Sequence, residues 1–237
     1  MSKSIEDKYQ QLSEIGHVLA RPGMYIGNVG TEKYEGFLYN ETAGKMEQRT
    51  IQYNPAFLKM FDEIISNSVD ESKRKGNLGL DTIKVNIDRK AGSIEVIDNG
   101  GIPVEIHTKV GIYVPEMLFG SLRSGSNFDD TEDRMTTGTH GLGAVLTNIF
   151  SKEFHVITAD GKNRYIQKFY DNNHKKTEPK IVPITSHYTT ITFFPDFDKL
   201  KMPKGLDDMN YDRLVKRVVD VAGCNPKIKV YLNGNLL

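Results

Sequence analysis

SIEVIDNGGIPVEIH occupies residues 93 to 107. Apolar and polar residues alternate as far as Asp98, the pattern of a half-buried strand. Asn99, two adjacent glycines and Ile-Pro follow. Asp and Gly are ordinary residues for closing a strand, because Asp bonds the backbone ahead of it and Gly accepts any φ. They also suit recognition. An acid at a strand end can accept a hydrogen bond from an exocyclic amine, and glycines let a flat ring approach the backbone. Spacing alone leaves both readings open. Upstream, TIKVNID (82–88) alternates in the same way, and the intervening RKAG fits a hairpin turn.

Working outward, strands are predicted at about 153–159, 164–170, 179–184, 188–194 and 227–234, and two more within 36–53 around the turn ETAGK. Helices are predicted from Asn54 to about Lys75, over 114–123, through AVLTNIFS, and over 208–223. Asn54 is placed to cap the first of these and Pro55 suits its first position. Residues 1–20 read as a polar arm leading to a short helix, and RPGMYIGNVG as a loop. Interleaved helices and hairpins imply an α/β fold, a two-layer sandwich of a mixed, largely antiparallel sheet with helices on one face.

Composition narrows the function. The 237 residues carry 31 basic and 31 acidic side chains, so the chain is not an obvious nucleic-acid grip by charge alone. Cys224 is the single cysteine, which excludes an internal disulfide and fits a reducing compartment. The polar start MSKSIEDKYQQ does not read as a signal peptide. No run reaches the roughly 20 apolar residues that a membrane span requires.

Two further segments carry possible chemistry. In FLKMFDEIISNSVDESKRK, Glu63, Asn67, Asp70 and Glu71 fall within about 100° on a helical wheel. Phe57, Leu58, Phe61, Ile65 and Val69 lie opposite. A solvated polar face is the plain explanation. Against it, Asn is a poor mid-helix residue, and Ser66 and Ser68 sit among apolar positions. An amide oxygen suits Mg²⁺, and a carboxylate one turn earlier could deprotonate a water. In TTGTHGLGAVLTNIF, Gly138, Gly141 and Gly143 open a helix, where backbone N–H groups form an anion site. The pattern is neither a Walker A loop nor a dinucleotide fingerprint. The long polar lead-in from Ser124 could fold over a nucleotide. His140 as a base has neither an orienting acid nor a nucleophile beside it in sequence.

An acidic helix with Glu and Asn, then strand-Asp-Gly, then a glycine segment opening a helix: this order resembles the ATP site of the GHKL superfamily, the Bergerat fold. Within it the chain is similar to the ATPase domain of type IIA DNA topoisomerases over nearly its whole length. RPGMYIG (21–27) and GTHGLGA (138–144) resemble gyrase. IPVEIHTKVGIYVPEMLFGSL (102–122) and SNFDD (126–130) resemble eukaryotic topoisomerase II, and the mixture suggests a phage or viral origin. The resemblance implies that Glu63 is the general base and Asn67 the Mg²⁺ ligand. It implies that Asp98 binds the adenine amine with Thr189 beside it, and that Asp70 is a second acid near the pocket. It places Gly100, Ile102 and Pro103 in the loop beside the adenine, and Ser126 and Asn127 near the ribose and phosphates. Thr139, His140, Gly141, Leu142, Gly143 and Ala144 fall in the phosphate-binding segment.

The resemblance further implies ATP and Mg²⁺ as cofactors. It implies a homodimer formed on ATP binding, a DNA-cleaving subunit or domain as partner, double-stranded DNA bound through the full enzyme, and no membrane association. It divides the chain into an arm and loop (1–30), the ATP-binding domain (31–225) and the start of a transducer (226–237). The transducer lysine would then lie beyond Leu237, and the isolated chain would be a weak ATPase. Location follows the host: cytoplasmic in a bacterium, nuclear or cytoplasmic otherwise. Another GHKL ATPase, or a nucleotide-binding module without turnover, is the alternative. Two departures stand out. The family reads Asp-x-Gly-x-Gly-Ile-Pro, with many topoisomerases carrying Arg between the glycines, and that residue is missing here. Val145 stands where eukaryotic topoisomerase II has Lys.

Overall fold

The computed structural model describes residues 11–74, 79–122 and 142–237. Helix α1 (Glu14–Ala20) and a 3-10 turn (Pro22–Met24) precede a hairpin of β1 (Glu32–Asn40) and β2 (Lys45–Tyr53). Then follow α2 (Pro55–Lys73), β3 (Thr82–Asp88), β4 (Ser93–Asp98), α3 (Val114–Gly120) and α4 (Gly143–Ile149). The remainder is β5 (Ser151–Asp160), β6 (Asn163–Tyr170), β7 (Lys175–Lys176), β8 (Lys180–Pro183), β9 (His187–Pro195), α5 (Asp208–Cys224), β10 (Lys229–Leu232) and β11 (Asn235–Leu236).

The main sheet has the order β11-β10-β3-β4-β9-β5-β6-β7, with β8 on β6. Among the described residues its pairs are antiparallel except β10 with β3. The sheet is a grid on its buried face. Ile94, Phe193 and Phe154 form one row across β4, β9 and β5, and Val96, Ile191 and Val156 form the next. All six are buried, as are Ile83, Val85 and Ile87 on β3. Period-two alternation puts Lys84, Asn86, Glu95 and His155 on the other face, where Asn86 Nδ2 donates to Glu95 across the strands at 2.8 Å. Helices α2, α4 and α5 close the apolar face, so the α/β two-layer expectation holds. The β1–β2 hairpin forms a separate two-stranded sheet that packs on α5, and its Leu38 and Ile51 are buried.

One predicted element is corrected. A single strand over 227–234 is replaced by β10, a turn and β11. Asn233 and Gly234 both have positive φ, 47° and 86°, the geometry that lets Asn-Gly reverse a hairpin. Asn233 Oδ1 accepts from Ile87 N at 2.8 Å, which fastens that turn to β3. These last strands lie in the same sheet as the rest.

α2 starts where the sequence says it should. Asn54 is the N-cap and its side chain accepts from Phe57 N at 2.9 Å, with Pro55 next. The same amide donates to Val29 O (2.9 Å) and Leu200 O (2.7 Å), and Asn210 Oδ1 accepts from Asn54 N. One buried side chain therefore joins the N-terminal loop, α2 and the segment before α5. We predict that Asn54→Ala costs about 2–4 kcal/mol of stability, beyond a simple cap, because two buried carbonyls lose their donor. Denaturant unfolding checks this; a loss no larger than about 1 kcal/mol would show that the two carbonyls are re-satisfied.

Candidate functional site

The third row of the sheet grid is polar. Asp98 on β4 pairs with Thr189 on β9, which pairs with Thr158 on β5. All three are buried on the helix-facing side. Ser68 of α2 donates to Asp98 Oδ2 at 2.6 Å, and Gly100 N donates to Oδ1 at 3.0 Å. Burial pushes the Asp98 carboxyl up to about 6, and the charge of Glu71 adds to this. The Ser68 hydroxyl and the Gly100 and Thr189 amides pull the other way. The result is a buried acid at a strand end, still held by the Ser68 hydroxyl and the Gly100 amide.

The adjacent glycines now have separate reasons. Gly100 turns its amide back to Asp98, and a Cβ on it would lie 2.9 Å from Leu80 Cδ1. Gly101 runs over β5, where a Cβ would lie 2.3 Å from Ala159 O. No side chain fits that gap. Two anchors hold the next residues: Ile102 N donates to Thr158 Oγ1 at 3.0 Å and Val104 N to Asp160 Oδ2 at 2.9 Å. Pro103 between them is exposed. For Asp160, burial works upward, but the amides of Asn163, Val104 and Lys162 outweigh it and hold the carboxyl below its ordinary value.

At the other end of the site, α4 begins directly against Glu63. A Cβ on Gly143 would lie 1.7 Å from Glu63 Oε2. Thr147 Oγ1 donates to Met60 O at 3.0 Å and fastens α4 to α2 one turn away. Lys59, one turn earlier on α2, forms an ion pair with Glu63. The N-cap Leu142 offers no side-chain acceptor, so the first turn of α4 is capped by no side chain of its own. Leu142 and Ala144 are half-buried, whereas Val145 is fully buried, so that position serves packing.

The polar residues of α2 differ in burial. Asn67 is exposed and Glu63 and Glu71 are half-buried, with Glu71 paired to Arg74 at 3.3 Å. Asp70, however, is buried at 6% exposure and does not belong to a solvated face. The structure brings Asp98, Gly100, Ile102 and Thr189 together, and Glu63 with Gly143. Ser126, Asn127, Thr139, His140 and Gly141 lie outside the described residues. Sequence reasoning missed Ser68, Thr158, Asp160 and Lys59 as participants. Ser68 was out of place among apolar residues, and Thr158 continues the inward phase of Phe154 and Val156; both were available signals.

Residues 53–199 match the family model described as histidine kinase-, DNA gyrase B-, and HSP90-like ATPase. The chain belongs to this ATPase family. It is 43% identical over 236 residues to the probable DNA topoisomerase 2 of Dictyostelium discoideum, covering 98% of this chain and 15% of that protein. It is 44% identical over 238 residues to DNA topoisomerase 2 of Arabidopsis thaliana, covering 98% of this chain and 16% of that one. The chain thus spans about one-sixth of the length of these relatives. Among solved structures, the ATPase and transducer domains of DNA topoisomerase II from Balamuthia mandrillaris superpose with a TM-score of 0.94 at 41% identity, covering 99% of this chain and 62% of that one. The ATPase region of Saccharomyces cerevisiae topoisomerase II bound to ICRF-187 (dexrazoxane) gives 0.93 at 41% identity, covering 98% of this chain and 62% of that one. The Bergerat-type fold expected from the sequence is the fold of this ATPase, and its structural neighbours are the ATPase regions of type II topoisomerases.

The two close glycine contacts differ in kind. Ala159 O belongs to a central strand, whereas Glu63 Oε2 ends a flexible side chain. We predict that Gly101→Ala costs about 1–3 kcal/mol through overpacking. Gly143→Ala should cost less than Gly101→Ala and displace the Glu63 carboxylate instead. Urea unfolding of the two variants checks the order; equal losses would mean that the β5 backbone yields as easily as a glutamate side chain.

Proposed function

We propose that the chain binds and hydrolyses ATP as the nucleotide-driven module of a type II DNA topoisomerase. The observation that supports this most is the two-ended arrangement along α2: Ser68 holds the buried acid Asp98 at one end, and Glu63 meets the start of α4 at the other. Asp98 is the acceptor for the adenine amine, with Thr189 beside the ring. The first amides of α4, at Gly143 and Ala144, face the phosphates. Glu63 takes the proton of the attacking water, and Lys59 orients its carboxylate.

Asn67 is the residue that would hold Mg²⁺. It is exposed one turn after Glu63, and an amide oxygen is the hard ligand that suits an ion which keeps several waters and takes further ligands from phosphates. When bound, Mg²⁺ supplies neutralisation of phosphate charge. The buried Asp70 supports the adenine end of α2 rather than the metal. In the proposed full enzyme, nucleotide binding joins two copies of this module and closes a clamp on double-stranded DNA, which a separate cleaving domain or subunit cuts. The division at residues 30 and 225, with a transducer starting at 226, belongs to the same proposal. No described helix is long and apolar enough to cross a membrane. A nuclear or cytoplasmic location follows from the proposed DNA substrate.

Two measurements test this reading. Glu63→Gln keeps the shape and removes the base, so ATP affinity should stay while turnover falls about 10²–10⁴-fold. Undiminished turnover would remove Glu63 from the reaction. The second concerns pH. Asp98 accepts the amine as a carboxylate, and its value of about 6 places half-protonation there. ATP affinity should therefore weaken roughly tenfold between pH 7.5 and 5 through this group. Asp98→Asn should bind more weakly at pH 7.5 and lose that part of the pH dependence. The same pH profile in both proteins would exclude Asp98 as the acceptor.

A further inference from the structure

Thr158 is not itself among the groups assigned to ATP, yet it is fully buried at the junction of three elements. Its hydroxyl accepts from Ile102 N at 3.0 Å in the glycine loop. It lies 2.9 Å from Thr189 Oγ1 on β9 and 3.2 Å from Tyr188 O. A hydroxyl has one proton and two lone pairs. One lone pair is committed to Ile102. The proton can go to Tyr188 O, in which case Thr189 donates inward to Thr158. Or it goes to Thr189, and the Thr189 proton is free to point at the pocket. The shorter of the two distances is the one to Thr189.

We propose that Thr158 is the positioning residue that makes Thr189 a donor toward the adenine ring and ties that donor to the glycine loop. An adenine edge presents one amine, which Asp98 accepts, and beside it the ring nitrogen N1, which needs a donor directly or through a water. By donating to the Thr189 oxygen, Thr158 fixes the rotamer of that hydroxyl, so that its own proton is held toward N1 and is not left to turn among other acceptors. The same oxygen fixes Ile102, two residues beyond Gly100, whose amide in turn holds Asp98. Acceptor and donor are thereby set by one buried hydroxyl on β5. Asp160 adds the second anchor, at Val104 N, and contributes nothing to the proton direction.

This inference rests on the adenine-nucleotide reading above, and its test separates the two. The probes are ATP and 1-deaza-ATP, which lacks the N1 acceptor, titrated by calorimetry into the 237-residue chain and into Thr158→Val and Thr158→Ser. Wild type should bind ATP and prefer it to 1-deaza-ATP. Thr158→Val keeps the volume and removes the hydroxyl; ATP affinity should fall about tenfold, the scale of one lost buried hydrogen bond, and the preference for ATP over 1-deaza-ATP should narrow toward one. Thr158→Ser should restore both. If the valine variant loses affinity but keeps the preference, Thr158 is a packing residue and the inference is wrong. Unchanged ATP affinity in the valine variant, or a serine variant as weak as valine, is equally fatal to it. Wild type that binds no ATP overturns the nucleotide reading itself, and this inference with it.

Discussion

The site depends on the register of β9 between β4 and β5. Three rows of side chains cross these strands on the helix-facing side: two apolar, then Asp98, Thr189 and Thr158. Register in a sheet has a period of two, so a slip of one residue would turn Thr189 to the far face and bring Tyr188 or Thr190 inward. The apolar rows prevent this. Ile191 and Phe193 are at most 4% exposed and have nowhere else to bury. The hydrophobic core thus fixes the position of the polar row, although it contributes no atom to it. Ladder and core set an acid and two hydroxyls side by side.

That polar row carries a cost, and its surroundings offset it. A carboxylate at 6% exposure is poorly solvated, and its value of about 6 records that. The ordinary value is 3.8, so the folded state binds the extra proton between about 4 and 6. Stability from this group therefore falls as pH rises through that window, and the penalty is complete above it. Ser68, Gly100 N and Thr189 N keep the penalty from being larger. A buried acid tolerated at a cost, with donors arranged around it, is the kind of local inconsistency expected where a fold carries a ligand site.

What was legible in the sequence was local. Alternation gave β3 and β4, Asn54-Pro55 gave the start of α2, and the glycine segment gave the start of α4 near Gly143. Asn233-Gly234 was also local, yet the continuous apolar pattern hid its turn inside a presumed strand. Partners separated by long stretches of chain were not legible. Ser68 looked misplaced, but nothing local points to Asp98, thirty residues on. Asp70 carried the helical phase of a surface acid and is buried, because a wheel gives direction and not what packs there. Thr158 read as one more strand threonine, since its partners lie on β9 and in the glycine loop.

The paired glycines show how such distant partners dictate local sequence. Asp98 is fixed by β9 and Ser68, and the amides of Ile102 and Val104 are fixed by Thr158 and Asp160. Only three residues connect these two fixed points. Asn99 spends its side chain on Asp81 N and Thr82 N at 3.1 and 3.0 Å. Gly100 returns its amide to Asp98, and Gly101 slides over Ala159 O where no Cβ fits. Each position has its own task, and the two that need no side chain happen to be neighbours.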